Sequence, residues 1–75
     1  MRELVELIAK ALVDHPDEVV VTQTLEGKNI RIQLHVAPSD MGKVIGKQGR
    51  IAKAIRAVVK AAASRDDIRV DVDID

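Results

Sequence analysis

The chain has 75 residues, 12 basic and 12 acidic side chains that cancel to a formal net charge of zero, no cysteine, and no Phe, Trp or Tyr. That length supports one domain, residues 1–75, burying roughly 60% of the surface its unfolded chain exposes; it has no disulfide or thiolate metal site, and two isolated histidines bind neither metal nor cofactor. Glu3, Glu6 and Lys10 interrupt the N-terminal apolar residues and no apolar run approaches the ~20 residues of a membrane span, so neither a signal peptide nor a membrane partner is expected and the default address is cytoplasmic.

Leu4, Val5, Leu7, Ile8, Ala11 and Leu12 recur at helical spacing and predict an amphipathic first helix. Asp14-His15-Pro16-Asp17 ends it, because the residue before proline is pushed out of the helical region. Glu18 to Thr24, rich in β-branched residues, reads as a strand, and Glu26-Gly27-Lys28-Asn29 turns the chain back. Ile30, Ile32, Leu34 and Val36 alternate with Arg31, Gln33 and His35, the period of a strand with one buried face. His15 is expected in a turn and His35 on the exposed side of that strand.

Pro38-Ser39-Asp40 supplies helix-start chemistry for a short helix through Met41, Val44 and Ile45, which Gly46 ends. A longer helix follows from Gly49 or Arg50 to about Ser64, with Ile51, Ile55, Val58 and Ala62 as its expected core face. Arg50, Lys53, Arg56 and Lys60 fall within an arc of about 120° at ~100° per residue. Ala54, Ala57 and Ala61 border the two faces as a strip where another helix can approach closely, a candidate dimer or partner surface. Ile68, Val70, Val72 and Ile74 then alternate with charged residues in a third strand. The predicted class is α+β in the order α-β-β-α-α-β: an antiparallel hairpin, a right-handed helical crossover to a parallel strand, and three helices on one face of a three-stranded mixed sheet.

Zero net charge conceals segregation. Between Met41 and Arg65 stand seven basic residues and no acidic one, while the rest of the chain carries five basic and twelve acidic residues. One-signed clustering on one segment is the footprint of an anion-binding face. Within it lies Gly46-Lys47-Gln48-Gly49, a G-x-x-G turn between two helical stretches. Glycines three apart let the backbone approach another chain closely. The second opens a helix whose first N–H groups lack internal partners and attract an anion, and Lys43, Lys47 and Arg50 surround the same point.

The segment Gly42 to Gln48 is not a nucleotide phosphate loop: one residue is missing between the glycines, and Gln48 stands where a magnesium-binding Ser or Thr is required. No nucleophile–base set or paired carboxylate is visible, so neither catalysis nor a small-molecule substrate is expected. Without aromatic rings, base stacking is excluded, leaving backbone clamps and aliphatic grooves.

The pattern Ile45-Gly46-x-x-Gly49-x-Ile51-x-x-x-Ile55, in a basic helix-turn-helix between the second and third strands, resembles the K-homology (KH) domain, and the element order resembles its bacterial type II form. The length and the run from Val36 to Ile55 are similar to the small bacterial KhpA/YlqC family, over essentially the whole chain. The resemblance implies noncatalytic binding of single-stranded RNA and a chaperone-like or regulatory role linked to cell elongation and division. It also implies a homodimer, or a heterodimer with a larger KH-domain RNA-binding protein. Carried over by position, Gly46, Lys47, Gln48 and Gly49 would clamp the sugar-phosphate backbone, and Lys43, Arg50 and Lys53 would add charge. Val44, Ile45 and Ile51 would form the aliphatic side of a groove for about four nucleotides, although Ile45 and Ile51 read equally well as core. A rival reading makes the chain a protein-interaction adaptor, with the G-x-x-G helices as a dimer seam and RNA contact incidental.

Overall fold

A computed structural model describes residues 1–75, in which six elements follow the expected order: α1 (Arg2–Leu12), β1 (Val20–Glu26), β2 (Asn29–His35), α2 (Met41–Ile45), α3 (Arg50–Ser64) and β3 (Arg69–Ile74). Period-two alternation makes β2 and β3 strands buried on one face: Ile30, Ile32, Leu34, Val70 and Val72 point inward, while Arg31, Gln33, His35, Arg69, Asp71 and Asp73 are exposed. β1 and β2 pair antiparallel from Val20↔His35 to Glu26↔Asn29, and β2 and β3 pair parallel from Asn29↔Arg69 to Leu34↔Ile74. The three-stranded sheet is therefore mixed, with β2 central. The hairpin closes through Gly27 and Lys28, with positive φ only at Gly27, as expected of a type II′ turn.

Three helices pack on the inner face of the sheet and enclose Val5, Ile32, Leu34, Val36, Val44 and Val59, all but fully buried. Burying a branched aliphatic side chain of this size contributes about 1.5–3 kcal/mol, so these few residues carry much of the core. The outer face of the sheet has no covering layer.

Three expectations shift. β1 begins at Val20 rather than Glu18, because Pro16–Glu18 form a 3-10 turn in which Glu18 N–H donates to the His15 carbonyl at 3.0 Å. In α1 only Val5 and Ala9 are buried, and Leu7, read as part of the apolar face, is 69% exposed. In α3 the buried face is Ala52, Ile55, Val59 and Ala63; Ile51 and Ala62 are half-buried and Val58 is 48% exposed. The helix is rotated so that two alanines meet the core, because small residues let its axis lie close to the sheet. Ile51 and Val58 are turned aside, toward α2 and α1.

Candidate nucleic-acid interface

α2 stops at Ile45 because Gly46 adopts φ 76°, ψ 174°, a region essentially restricted to glycine. A Cβ at Gly46 would also lie 2.6 Å from Ile51 Cγ1, so side chain and backbone both require its absence. Gln48 (φ 57°, ψ 25°) and Gly49 (φ 73°, ψ 16°) then turn left-handed, which reverses the chain into α3. Gly46 N–H donates to the Gly42 carbonyl at 2.9 Å, Gly49 N–H to the Gly46 carbonyl at 3.1 Å, and Arg50 N–H to the Lys47 carbonyl. The amides of Lys47 and Gln48, both exposed residues, donate to no acceptor in the protein. The expected row of open amides is thus narrower than the motif implied: two at the tip of the turn are open, while those at Gly49 and Arg50 are used internally.

Lys47, Arg50 and Lys53 are exposed around this tip and make no ion pair within the protein. Two other members of the basic run are engaged. Arg56 Nε donates to the Val72 carbonyl of β3 at 3.2 Å, which ties the middle of α3 to the edge strand. Lys43 Nζ is paired with Asp14 and lies 3.6 Å from Asp40 Oδ1, so the cation expected to face an anion already has two carboxylates. Val44, expected along a nucleotide groove, is 0% exposed: the face of α2 that carries it points into the core. Ile45 and Ile51 are half-buried and pack against the core, leaving part of each open beside the turn.

Asp40 was expected to start α2, yet its side chain makes no cap hydrogen bond. It is 1% exposed and accepts from Asp14 N–H at 3.2 Å and His15 N–H at 3.0 Å, with His15 Nδ1 at 3.1 Å. Burial alone would raise the Asp40 carboxyl, but the amides of Asp14 and His15 and the imidazole outweigh it and hold it below its ordinary 3.8. The hydrogen bond and charge of Asp40 raise His15 above its ordinary 6.5, and the hydrogen bond that Lys43 donates to Asp14 raises Lys43. No local sequence signal connects Asp40 with a segment 25 residues earlier, and the arrangement emerges only from the fold.

A second surface lies between α1 and α3, where Ile8, Ile51, Ala54, Ile55 and Val58 line an open apolar groove of about 250 Å³ with Arg50 at its rim. Ala54 belongs to it, whereas Ala57 and Ala61 are exposed on the outer surface of α3. No helix is long and apolar enough to cross a membrane.

The sequence profile described as the KhpA/KhpB KH domain matches residues 2–74. The chain belongs to the KhpA/KhpB family of KH domains. Its similarity to curated relatives runs end to end: it is 61% identical to the RNA-binding protein KhpA of Clostridium perfringens, over 99% of both chains. It is 62% identical to that of Caldanaerobacter subterraneus, again over 99% of both, and 49% identical to that of Listeria monocytogenes, over 99% of this chain and 97% of the relative. No solved structure matches. The α-β-β-α-α-β order with a parallel third strand is the type II arrangement of a KH domain, and the G-x-x-G turn stands between α2 and α3 where that fold places it.

Proposed function

We propose that this KH domain binds single-stranded RNA without catalysis, taking the sugar-phosphate backbone of about four nucleotides against the Gly46–Gly49 turn. The observation that carries the reading is the pair of open amides at Lys47 and Gln48, on an exposed tip surrounded by the unpaired cations Lys47, Arg50 and Lys53. The relatives named as RNA-binding proteins support it. Half-exposed Ile45 and Ile51 supply the aliphatic wall, in place of the aromatic platform this chain lacks.

Two open amides and a few cations make a weak site, so useful affinity calls for a second domain on the same RNA. The α1–α3 groove is the surface for that association, in a homodimer or with a larger KH-domain RNA-binding protein. Ala57 and Ala61 lie beside it. A cytoplasmic RNA chaperone or regulator acting in cell elongation and division completes the reading. The adaptor reading draws on the same groove and on the exposed Leu7 and Val58, and differs in making RNA incidental.

One experiment separates them. Substituting Lys47→Asp and Gln48→Asp together should abolish binding of a labelled single-stranded RNA in fluorescence anisotropy and leave the melting curve nearly unchanged. Ala54→Glu, followed by light scattering, should reduce self-association and weaken RNA binding only through lost avidity. Intact RNA binding in the double variant, beside lost association in Ala54→Glu, would establish the adaptor instead.

A further inference from the structure

Asp40 is the one charged side chain buried in the chain, and all of its known partners lie outside the backbone of the helix it precedes. Its Oδ1 accepts from Asp14 N–H and its Oδ2 from His15 N–H, with the imidazole of His15 also on Oδ2. Lys43, one turn into α2, reaches back to the same two acidic residues. The four groups therefore link the segment after α1 to both the start and the body of α2. That helix has only five residues, too few to hold an orientation by its own hydrogen bonds. The Gly46–Gly49 turn hangs from its end.

We propose that Asp40 and Lys43 form a strut that positions the phosphate-binding turn, and that Lys43 is not one of the turn's phosphate contacts. Asp40 clamps the Asp14–His15 segment against the base of α2, and Lys43 closes the clamp through Asp14. Fixed at that end, α2 presents the open amides of Lys47 and Gln48 outward. The inference rests on the reading of the turn as an RNA clamp, but it assigns Lys43 a different job from Lys47. An ammonium held between two carboxylates has little net charge to offer a phosphate, whereas Lys47 has no such partner.

Salt dependence tells the two roles apart, because each neutralised phosphate adds about −0.7 to the log–log slope of affinity against salt on a single strand. Wild type, Lys47→Met, Lys43→Met, Asp14→Asn and Asp40→Asn would be titrated with a labelled single-stranded oligouridylate across a salt series, with a melting curve for each. Lys47→Met is expected to make the slope shallower by about 0.7 at an unchanged melting temperature. Lys43→Met is expected to weaken binding at an unchanged slope, with a lower melting temperature. Asp14→Asn is expected to weaken binding in the same way, although it removes a negative charge. A slope made shallower by a full contact in Lys43→Met, or a steeper slope and tighter binding in Asp14→Asn, would overturn the strut and leave the RNA clamp standing.

A readout independent of RNA guards against the opposite failure. If Lys47→Met leaves affinity and slope untouched, the reading of the turn is wrong, and the strut is judged by amide hydrogen exchange alone. Exchange at Gly46 and Gly49, whose amides donate to the Gly42 and Gly46 carbonyls, should speed up about tenfold in Asp40→Asn while the β2 amides keep their protection. Unchanged exchange at both glycines would refute it. Where Asp40→Asn does not fold, Lys43→Met and Asp14→Asn, both at exposed positions, carry the same comparison.

Discussion

A methyl group added at Gly46 would lie 2.6 Å from Ile51 Cγ1 on a backbone at φ 76°, ψ 174°, whereas one added at Gly49 would meet nothing within 4 Å at φ 73°, ψ 16°. The two glycines of the motif therefore have unequal constraints. Gly49→Ala bears only the strain of a left-handed residue and should lose about 1–2 kcal/mol. Gly46→Ala adds a collision with a half-buried isoleucine to a backbone region closed to alanine, and should lose about 3 kcal/mol or more. Urea denaturation of both variants checks the order, and equal losses would show that Ile51 moves aside freely. The sequence marks the two positions identically. Their difference depends on ψ at Gly46 and on a side chain five residues on, neither of which spacing reveals.

α3 was legible in extent but not in orientation. Its ends follow from Gly49 and from the stretch after Ser64, yet its buried face follows Ala52 and Ala63 rather than Ile51 and Val58. Periodicity gives the angle between positions on a helix. Which of two neighbouring arcs meets the sheet depends on how close the axis can come, a property of the partner surface. The clean alternation of β2 left no such freedom, and its face was readable outright. At the far end of α3, Ile68 N–H donates to the Ala63 carbonyl at 3.2 Å and Asp67 N–H to the Ser64 carbonyl at 3.4 Å, the two bonds of a Schellman cap. Asp67 occupies its left-handed position at φ 55°, where glycine is the favoured residue. An acid there also opposes the helix dipole, and its 3.5 Å pair with Lys28 joins two highly exposed side chains and holds little. Asp67→Gly should therefore stabilise the domain by about 1 kcal/mol. Asp66→Gly, at a residue without positive φ, should destabilise it, and thermal melts of the pair test the cap against a general effect of removing charge.

Across the whole molecule, the sheet stands between the free cations around the turn and two carboxylates of β3. The unpaired cations Lys47, Arg50 and Lys53 belong to the helical layer, while Asp71 and Asp73 stand on the open outer face of β3, on the opposite side from buried Val70 and Val72. The molecule is only 16 Å across its shortest axis. At 0.01 M salt the Debye length is about 30 Å and spans that thickness; at 0.15 M it is about 8 Å and does not. In dilute salt, an approaching RNA should therefore feel the charges of Asp71 and Asp73 through the domain, which should slow its encounter with the turn. Asp71→Asn with Asp73→Asn should raise the association rate about two- to threefold at low salt and leave it unchanged near physiological salt. The dissociation rate should stay constant throughout, because neither aspartate belongs to the turn. Stopped-flow binding at the two salt concentrations measures both rates. A changed dissociation rate would instead place the outer sheet face in contact with RNA, a role that its polar side chains and uncovered surface permit but the geometry of the turn does not require.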